Sequence, residues 1–384
     1  MSVGVWDHLT GQSSAIEAFR AAASIDPGNV AMTHSWLITG PPGSGRSNLA
    51  YAFAAALLSR GPDDEERTIR QVQARTHPDL AVLSTERVII TIDEVRALVS
   101  ASQFSPSVGR YRVVVIEDAD RMTERTSNLL LKALEEPPPR TVWILCAPSE
   151  ADLIPTIRSR VRSVRLRVPA TADVAALLRE RDGVDQETAE IAAREAQSHI
   201  GMAHRLATDP DARERRRQTL ATALQIRSVS DAVVAAATLL TVAGDDAKAI
   251  TLERDAEERE SALRSLGVAP GGTIPPALRA QLRALEDDQK RRATRSLRDG
   301  IDRILVDLLS LYRDILLLQL GAPTEPINQS IRPELDRAAL ASTAAGTLRV
   351  MDAIGTARSR IDGNVAPALA LEAMLVAVSR HSLR

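Results

Sequence analysis

An apolar run, Ser35-Trp36-Leu37-Ile38, leads into Gly40-Pro41-Pro42-Gly43-Ser44-Gly45-Arg46-Ser47, and an Ala/Leu-rich run of high helix propensity follows from Ser47 to Leu58. Strand, glycine-rich turn and helix in this order and spacing make a P-loop, in which backbone N–H groups surround phosphates and the helix points its positive end at them. Such a unit commits the surrounding chain to a parallel sheet covered by helices. One position departs from the pattern. Arginine, a longer planar fork, stands at 46 where the motif uses the compact ammonium of lysine, which changes the geometry of any phosphate contact. Gly40, Gly43, Gly45, Arg46 and Ser47 are the candidate nucleotide-binding residues.

Residues 1–168 alternate short apolar runs with amphipathic helical ones, the pattern of helices on both faces of a parallel sheet. Leu80–Leu83, Arg112–Ile116 and Thr141–Cys146 read as further strands. Thr91 and Glu94 form a capping box for a helix over Ile92–Ser102. Thr123 caps a helix that carries Leu129, Leu130, Ala133 and Leu134 on one face and stops at Pro137-Pro138-Pro139. Ser59–Arg75 reads only as a polar stretch. Three short helical runs between residues 169 and 210, broken at Gly183 and near Ser198, suggest a small helical lid. From 211 to 384 the chain reads as all helix, with breaks at Gly267, Pro270-Gly271-Gly272, Pro275-Pro276 and Gly321 to Pro326. Its stripe of Ile301, Ile304, Leu305, Leu308, Tyr312, Ile315 and Leu316 must bury against an intrachain core or a neighbouring subunit. Ala256–Arg264 and Glu286–Arg298 interleave charges of both signs and read as solvated helix faces, and the charged segment 245–298 that holds them carries no functional reading.

Hydrolysis at a P-loop needs Mg²⁺ held by the loop's hydroxyl and a carboxylate, and a second carboxylate to orient water. Ser47 supplies the hydroxyl. At the strand end the usual Asp-then-Glu pair is reversed to Glu117 and Asp118, which displaces each carboxylate by about 1.5 Å, and a shift of about 1 Å can cost on the order of a hundredfold in rate. Glu117, Asp118 and Asp120 also suit a helix start, where acids favour the dipole.

The P-loop, Thr76-His77-Pro78-Asp79, the Val113–Asp120 strand end, Asn128-Leu129-Leu130-Leu131-Lys132-Ala133-Leu134-Glu135-Glu136-Pro137-Pro138 and Thr156-Ile157-Arg158-Ser159-Arg160 together resemble the AAA+ clamp-loader subunits of bacterial DNA polymerase III. The degenerate nucleotide site makes the chain most similar to the delta-prime type rather than to the ATP-hydrolysing tau/gamma type. The resemblance covers residues 1 to about 210 and implies an AAA+ domain, a lid and a helical collar. It implies a non-hydrolysing stator that works with tau/gamma and delta subunits in a hetero-pentamer, which loads the sliding clamp onto primer-template DNA. Arg160 falls at the family's arginine finger, which enters a neighbouring subunit's ATP site; without the resemblance it is one surface arginine among Arg158, Arg162, Arg165 and Arg167. The family's first sensor falls at Ala147, which has no polar side chain, and the second near His204, with Arg205 beside it. The four-cysteine zinc module is missing, so no zinc is expected. No cofactor is required by this reading, which leaves open a vestigial ATP/Mg²⁺ site, and it assigns no metal ligands, His77 and His204 included.

Composition narrows the alternatives. A formal net charge of −2 gives no global attraction to nucleic acid, so a plain DNA-binding protein using Arg213–Arg217 and Lys290–Arg292 is the weakest competitor. An active AAA+ ATPase with a divergent P-loop is the stronger one. A single cysteine, Cys146, allows no internal disulfide and suits a reducing cytoplasm. The start of the chain has no signal-peptide pattern, and its longest apolar stretch, Ala232–Gly244, is too short to span a bilayer, so the expectation is a cytoplasmic protein without a membrane partner.

Overall fold

A computed structural model of the chain describes residues 5–6, 9, 11–24, 31–85, 89–265 and 279–381. The chain divides into two compact units, Met1–Thr208 and Asp209–Arg384. In the first, β1 (Ser35–Thr39), β2 (Leu80–Leu83), β3 (Arg112–Ile116), β4 (Thr141–Ala147) and β5 (Arg162–Arg165) form one parallel sheet in the order β2-β3-β4-β1-β5. Parallel neighbours require crossover connections, and these put helices on both faces. The faces follow from the two-residue period of the strands. Val142, Ile144 and Cys146 of β4 enter one core with α1 (Ser13–Ala23), α2 (Arg46–Leu58) and α3 (Pro62–Gln73). Trp143, Leu145 and Ala147 enter the other, with α4 (Ile92–Ser102), α5 (Glu124–Glu135) and α6 (Pro155–Arg158).

Aromatics are scarce in this chain, but Phe19, Trp36 and Phe53 converge between α1, β1 and α2 with ring centroids 4.4 to 5.4 Å apart. Each is fully buried. Together they fix α2, and with it the turn that precedes α2, against β1. The capping box expected at Thr91 and Glu94 is present, as is the Thr123 cap.

Two elements depart from the sequence reading. The polar stretch after α2 contains the twelve-residue helix α3. The arginine-rich segment after residue 160 adds β5, an edge strand whose residues pair with Trp36–Thr39 of β1. Beyond the sheet, α7 (Thr171–Asp182), α8 (Gln186–Glu195) and α9 (Ile200–Thr208) enclose their own cluster around Val174, Leu178, Ala189, Ala193 and Ala203.

The second unit is helical: α10 (Pro210–Leu224), α11 (Val229–Ser265), α12 (Arg279–Gln319), α13 (Arg332–Ala341), α14 (Ala344–Asp362) and α15 (Pro367–His381). The stripe from Ile301 to Ile315 lies in its core with Leu239, Ile354, Leu371 and Leu375. The expected break from Gly267 to Pro276 falls outside the described residues. Buried Asp314 accepts from the backbone N–H groups of Ile327 (3.0 Å) and Asn328 (2.8 Å) and so ties the segment after α12 back to it. Among the described residues, no helix is long and apolar enough to cross a membrane.

Candidate functional site

Parallel strands bring all their C-terminal ends to one edge, and the turn after β1 emerges there beside the end of β4. This is the crevice where open α/β sheets bind ligands. The turn closes by Gly40 N–H donating to the Pro148 carbonyl at 3.2 Å. Gly43 and Gly45 have φ of +77° and +91°, backbone that strains any residue with a Cβ. Two unengaged side-chain donors lie at this turn and the start of α2. Ser44 Oγ and Arg46 Nη1 are buried with no hydrogen-bond partner among the described residues.

Ser47 and Tyr51 are one helical turn apart on α2 and face the same way. Both hydroxyls donate to Glu117 at the end of β3, Ser47 Oγ at 3.1 Å. Arg75, just past α3 with φ of +56°, donates from Nη2 to Glu117 Oε1 at 2.7 Å and lies over the Tyr51 ring at 5.5 Å. Burial, with help from Glu117, pushes the Tyr51 phenol well above its usual range, so it stays a neutral donor. Glu117 thus takes three donors, one of them a cation. Ser47 bonds Oε2 of Glu117 while Arg75 and Tyr51 bond Oε1, so the Arg75 charge opposes a cation at this carboxylate. Sequence reasoning missed Arg75 because the contact crosses 42 positions.

The other two acids are arranged differently. Asp118 lies 3.9 Å from Arg121. Burial holds the Asp120 carboxyl above the usual range, Asp118 adding to the effect and Arg121 and Arg46 opposing it. Burial also pushes the Cys146 thiol up to about 12, which makes it unreactive.

The start of α9 sits on the P-loop turn. A Cβ at Gly43 would come within 2.2 Å of the His199 ring, and Ile200 N–H donates to the Gly43 carbonyl at 3.3 Å. The histidine facing the loop is thus His199. His204, the expected second-sensor position, instead pairs with Asp182 of α7 at 2.9 Å. Ala147, at the first-sensor position, is fully buried in the core. Gln12 braces the loop from the opposite side, donating to the Ser44 carbonyl (3.3 Å) and exchanging two hydrogen bonds with the Arg167 backbone.

His77 and Asp79 build a support behind the site. His77 is buried, and its Nδ1 accepts from Asp79 N–H at 3.1 Å. Burial holds its imidazole below the ordinary value, consistent with a neutral acceptor. The buried Asp79 carboxylate receives the N–H groups of Ser107 (2.6 Å), Val108 (2.7 Å) and Gly109 (2.6 Å) and the Ser107 hydroxyl (2.9 Å). It anchors the loop that enters β3, the strand ending in Glu117.

Arg160 is remote from the P-loop in sequence and held by its own chain. Its Nε donates to Glu135 Oε1 at 2.6 Å, Nη2 contacts the same oxygen, and Nη1 donates to the Thr156 carbonyl at 2.7 Å. Of the basic groups weighed for DNA contact, Arg215 pairs with Asp209 and Asp246, Arg216 with Asp307, and Arg217 with Glu214. Among the described residues, no group of histidine, cysteine and acidic side chains could hold a metal ion.

Residues 11–170 match the family model described as "DNA polymerase III, delta subunit". Over 152 residues the chain is 36% identical to the DNA polymerase III subunit delta′ of Pseudomonas aeruginosa, a match covering 38% of this chain and 46% of that protein. Over its N-terminal segment the chain is similar to the delta′ subunits. The delta′ subunit of Escherichia coli is 35% identical over 143 residues, 35% of this chain and 43% of its own length. The gamma/tau subunit of Mycobacterium tuberculosis (strain ATCC 25618 / H37Rv) is 28% identical over 173 residues, 42% of this chain and 29% of its own. The matches to the delta′ relatives thus span less than half of those proteins' lengths.

Proposed function

We propose that this chain is a non-hydrolysing clamp-loader subunit of DNA polymerase III that braces a ring with tau/gamma and delta subunits and lends Arg160 to a neighbour's ATP site. Through that ring it serves the loading of a sliding clamp onto primer-template DNA. The observation that carries the reading is the Arg75–Glu117 pair. A carboxylate needed for a catalytic metal is neutralised from within the chain, beside a P-loop without its lysine. The delta′ likeness supports the same role. The hold of Glu135 on Arg160 does not oppose it. Exposed ion pairs contribute about 0–1 kcal/mol, whereas a finger supplied in trans is worth roughly a thousandfold or more in rate.

The test is ATP turnover by the reconstituted complex with primer-template and clamp. Arg160→Ala should lower it by roughly a thousandfold while the purified chain alone hydrolyses nothing. Unchanged turnover by the complex would remove the finger. Magnesium-dependent hydrolysis by the chain alone, abolished by Arg46→Ala, would replace this reading with an active ATPase carrying a divergent P-loop.

A further inference from the structure

The end of α6 engages one end of the Arg160 guanidinium. The last carbonyls of a helix have no partner inside it, and side chains commonly take them up. Beyond α6, Ser159 N–H goes to the Pro155 carbonyl at 3.1 Å and Arg160 N–H to the Ile157 carbonyl at 2.9 Å, which leaves the Thr156 carbonyl between them to side chains. Two of these take it up. The Ser159 hydroxyl donates to it at 3.1 Å and Arg160 Nη1 at 2.7 Å. Arg160 Nη1 also donates to Ser159 Oγ at 3.1 Å, so serine, arginine and carbonyl close a ring.

A guanidinium carries its N–H donors in a fixed planar fork. The Nη1 end finds two acceptors inside this ring, and the serine hydroxyl serves at once as donor to the carbonyl and acceptor from the arginine. The opposite edge, Nε and Nη2, is held from elsewhere in the chain. Its partner is Glu135 of α5, 25 positions away, with a side chain 46% exposed. Solvent screens such a pair, and rotation of one glutamate side chain frees the edge. The ring around Nη1 is built from neighbours in sequence and stays with the segment.

Nε and Nη2 are parallel donors that suit the oxygens of one carboxylate or phosphate. We infer that Ser159 is a positioning residue for Arg160: with the Thr156 carbonyl it pins Nη1, so that the Nε–Nη2 edge is the one offered to a phosphate in the neighbouring ATP site. This role rests on the reading of Arg160 as a finger supplied in trans. It adds a requirement of its own, a hydroxyl at position 159 that both donates and accepts. Alanine removes both functions, threonine retains them, and valine has the shape of threonine without the hydroxyl.

The experiment measures ATP turnover by the reconstituted complex with primer-template and clamp, at varied ATP. A group misplaced by about 1 Å can lose on the order of a hundredfold in rate. Ser159→Ala should therefore lower kcat by about tenfold to a hundredfold and leave KM for ATP unchanged, since a finger acts on the transition state. Ser159→Thr should keep the parental kcat, and Ser159→Val should match Ser159→Ala. In the Arg160→Ala background, Ser159→Ala should cost nothing more. Ser159 is exposed, and unfolding midpoints equal to the parent's establish that the variants are folded; should Ser159→Ala fail to fold, Ser159→Thr against Ser159→Val decides. Parental kcat in Ser159→Ala, beside a loss in Arg160→Ala, would overturn the positioning role and leave the finger standing. An equal loss in Ser159→Thr, or a further loss on top of Arg160→Ala, would overturn it too. Unchanged turnover in Arg160→Ala itself would remove the finger and the positioning role with it.

Discussion

Arg75 and Glu117 are joined at 2.7 Å beside the P-loop, the guanidinium on Oε1 of the carboxylate whose Oε2 faces the Ser47 hydroxyl. Two further hydroxyls, from Ser47 and Tyr51, converge on the same group. The result is a closed polar cluster at the point where a nucleotide-hydrolysing site needs an open one.

The first prediction concerns that pair. The Arg75 side chain is 48% exposed and that of Glu117 14%, so solvent screens the interaction and its loss in Arg75→Ala should cost about 1 kcal/mol in thermal unfolding. Arg75→Lys keeps the charge and loses the planar stacking on Tyr51, and should fall between the two. Calorimetric titration with ATP should become magnesium-dependent in Arg75→Ala and not in the parent. Identical magnesium responses would show that Arg75 is not the internal counter-charge.

Asp79 supplies a pH prediction. Burial pushes its carboxyl up, but the N–H donors of Ser107, Gly109 and Val108 outweigh burial and hold it below the usual range. A depressed folded-state value means stabilisation that is full above the unfolded value, near pH 4, and is lost as the pH falls through the lower folded one. Asp79→Asn should remove this acid-side slope. It also turns an amide N–H₂ toward backbone donors, at a cost of about 3 kcal/mol at neutral pH. Denaturant unfolding of both proteins between neutral and strongly acidic pH measures the two effects, and parallel curves would contradict the assignment.

Much of this was legible in the sequence, for local reasons. The P-loop, the Thr91–Glu94 capping box and the β-branched run of β3 each declare themselves within a dozen residues. The helix α3 carried signals too, Pro62 at its first turn with Asp63, Asp64 and Glu65 after it and Arg70 in its last turn, but it buries only Thr68 and Val72 and so shows little apolar pattern. β5 is exposed and rich in arginine; only its pairing with β1 makes it a strand. Arg75, Gln12 and His199 reach the site from positions far from the loop they touch. No periodicity encodes such contacts. The same limit separates His199, which meets Gly43, from His204, which the motif alignment favoured.

Gly43→Ala tests the seating of α9 on the loop. The substitution strains a φ of +77° by roughly 1–2 kcal/mol and drives a Cβ into the His199 ring. Adding His199→Ala should recover the steric part and leave the backbone part. A double-mutant cycle on unfolding free energy should therefore show coupling of about 1 kcal/mol or more; additive losses would mean that the ring does not rest on the turn.

The last prediction separates the hold on Arg160 from its proposed use. Glu135→Gln removes the charge that retains the guanidinium while the Thr156 carbonyl still accepts from Nη1 at 2.7 Å. At an exposed pair the change should move stability by no more than about 0.5–1 kcal/mol. In the reconstituted complex the freed arginine should serve the neighbouring site at least as well as before, so turnover should match or exceed the parent's. Arg160→Ala alone should abolish it, and the double variant should behave as Arg160→Ala does. If Glu135→Gln instead lowers turnover as far as Arg160→Ala, the ion pair is itself the working geometry, and Glu135 positions the finger rather than merely retaining it.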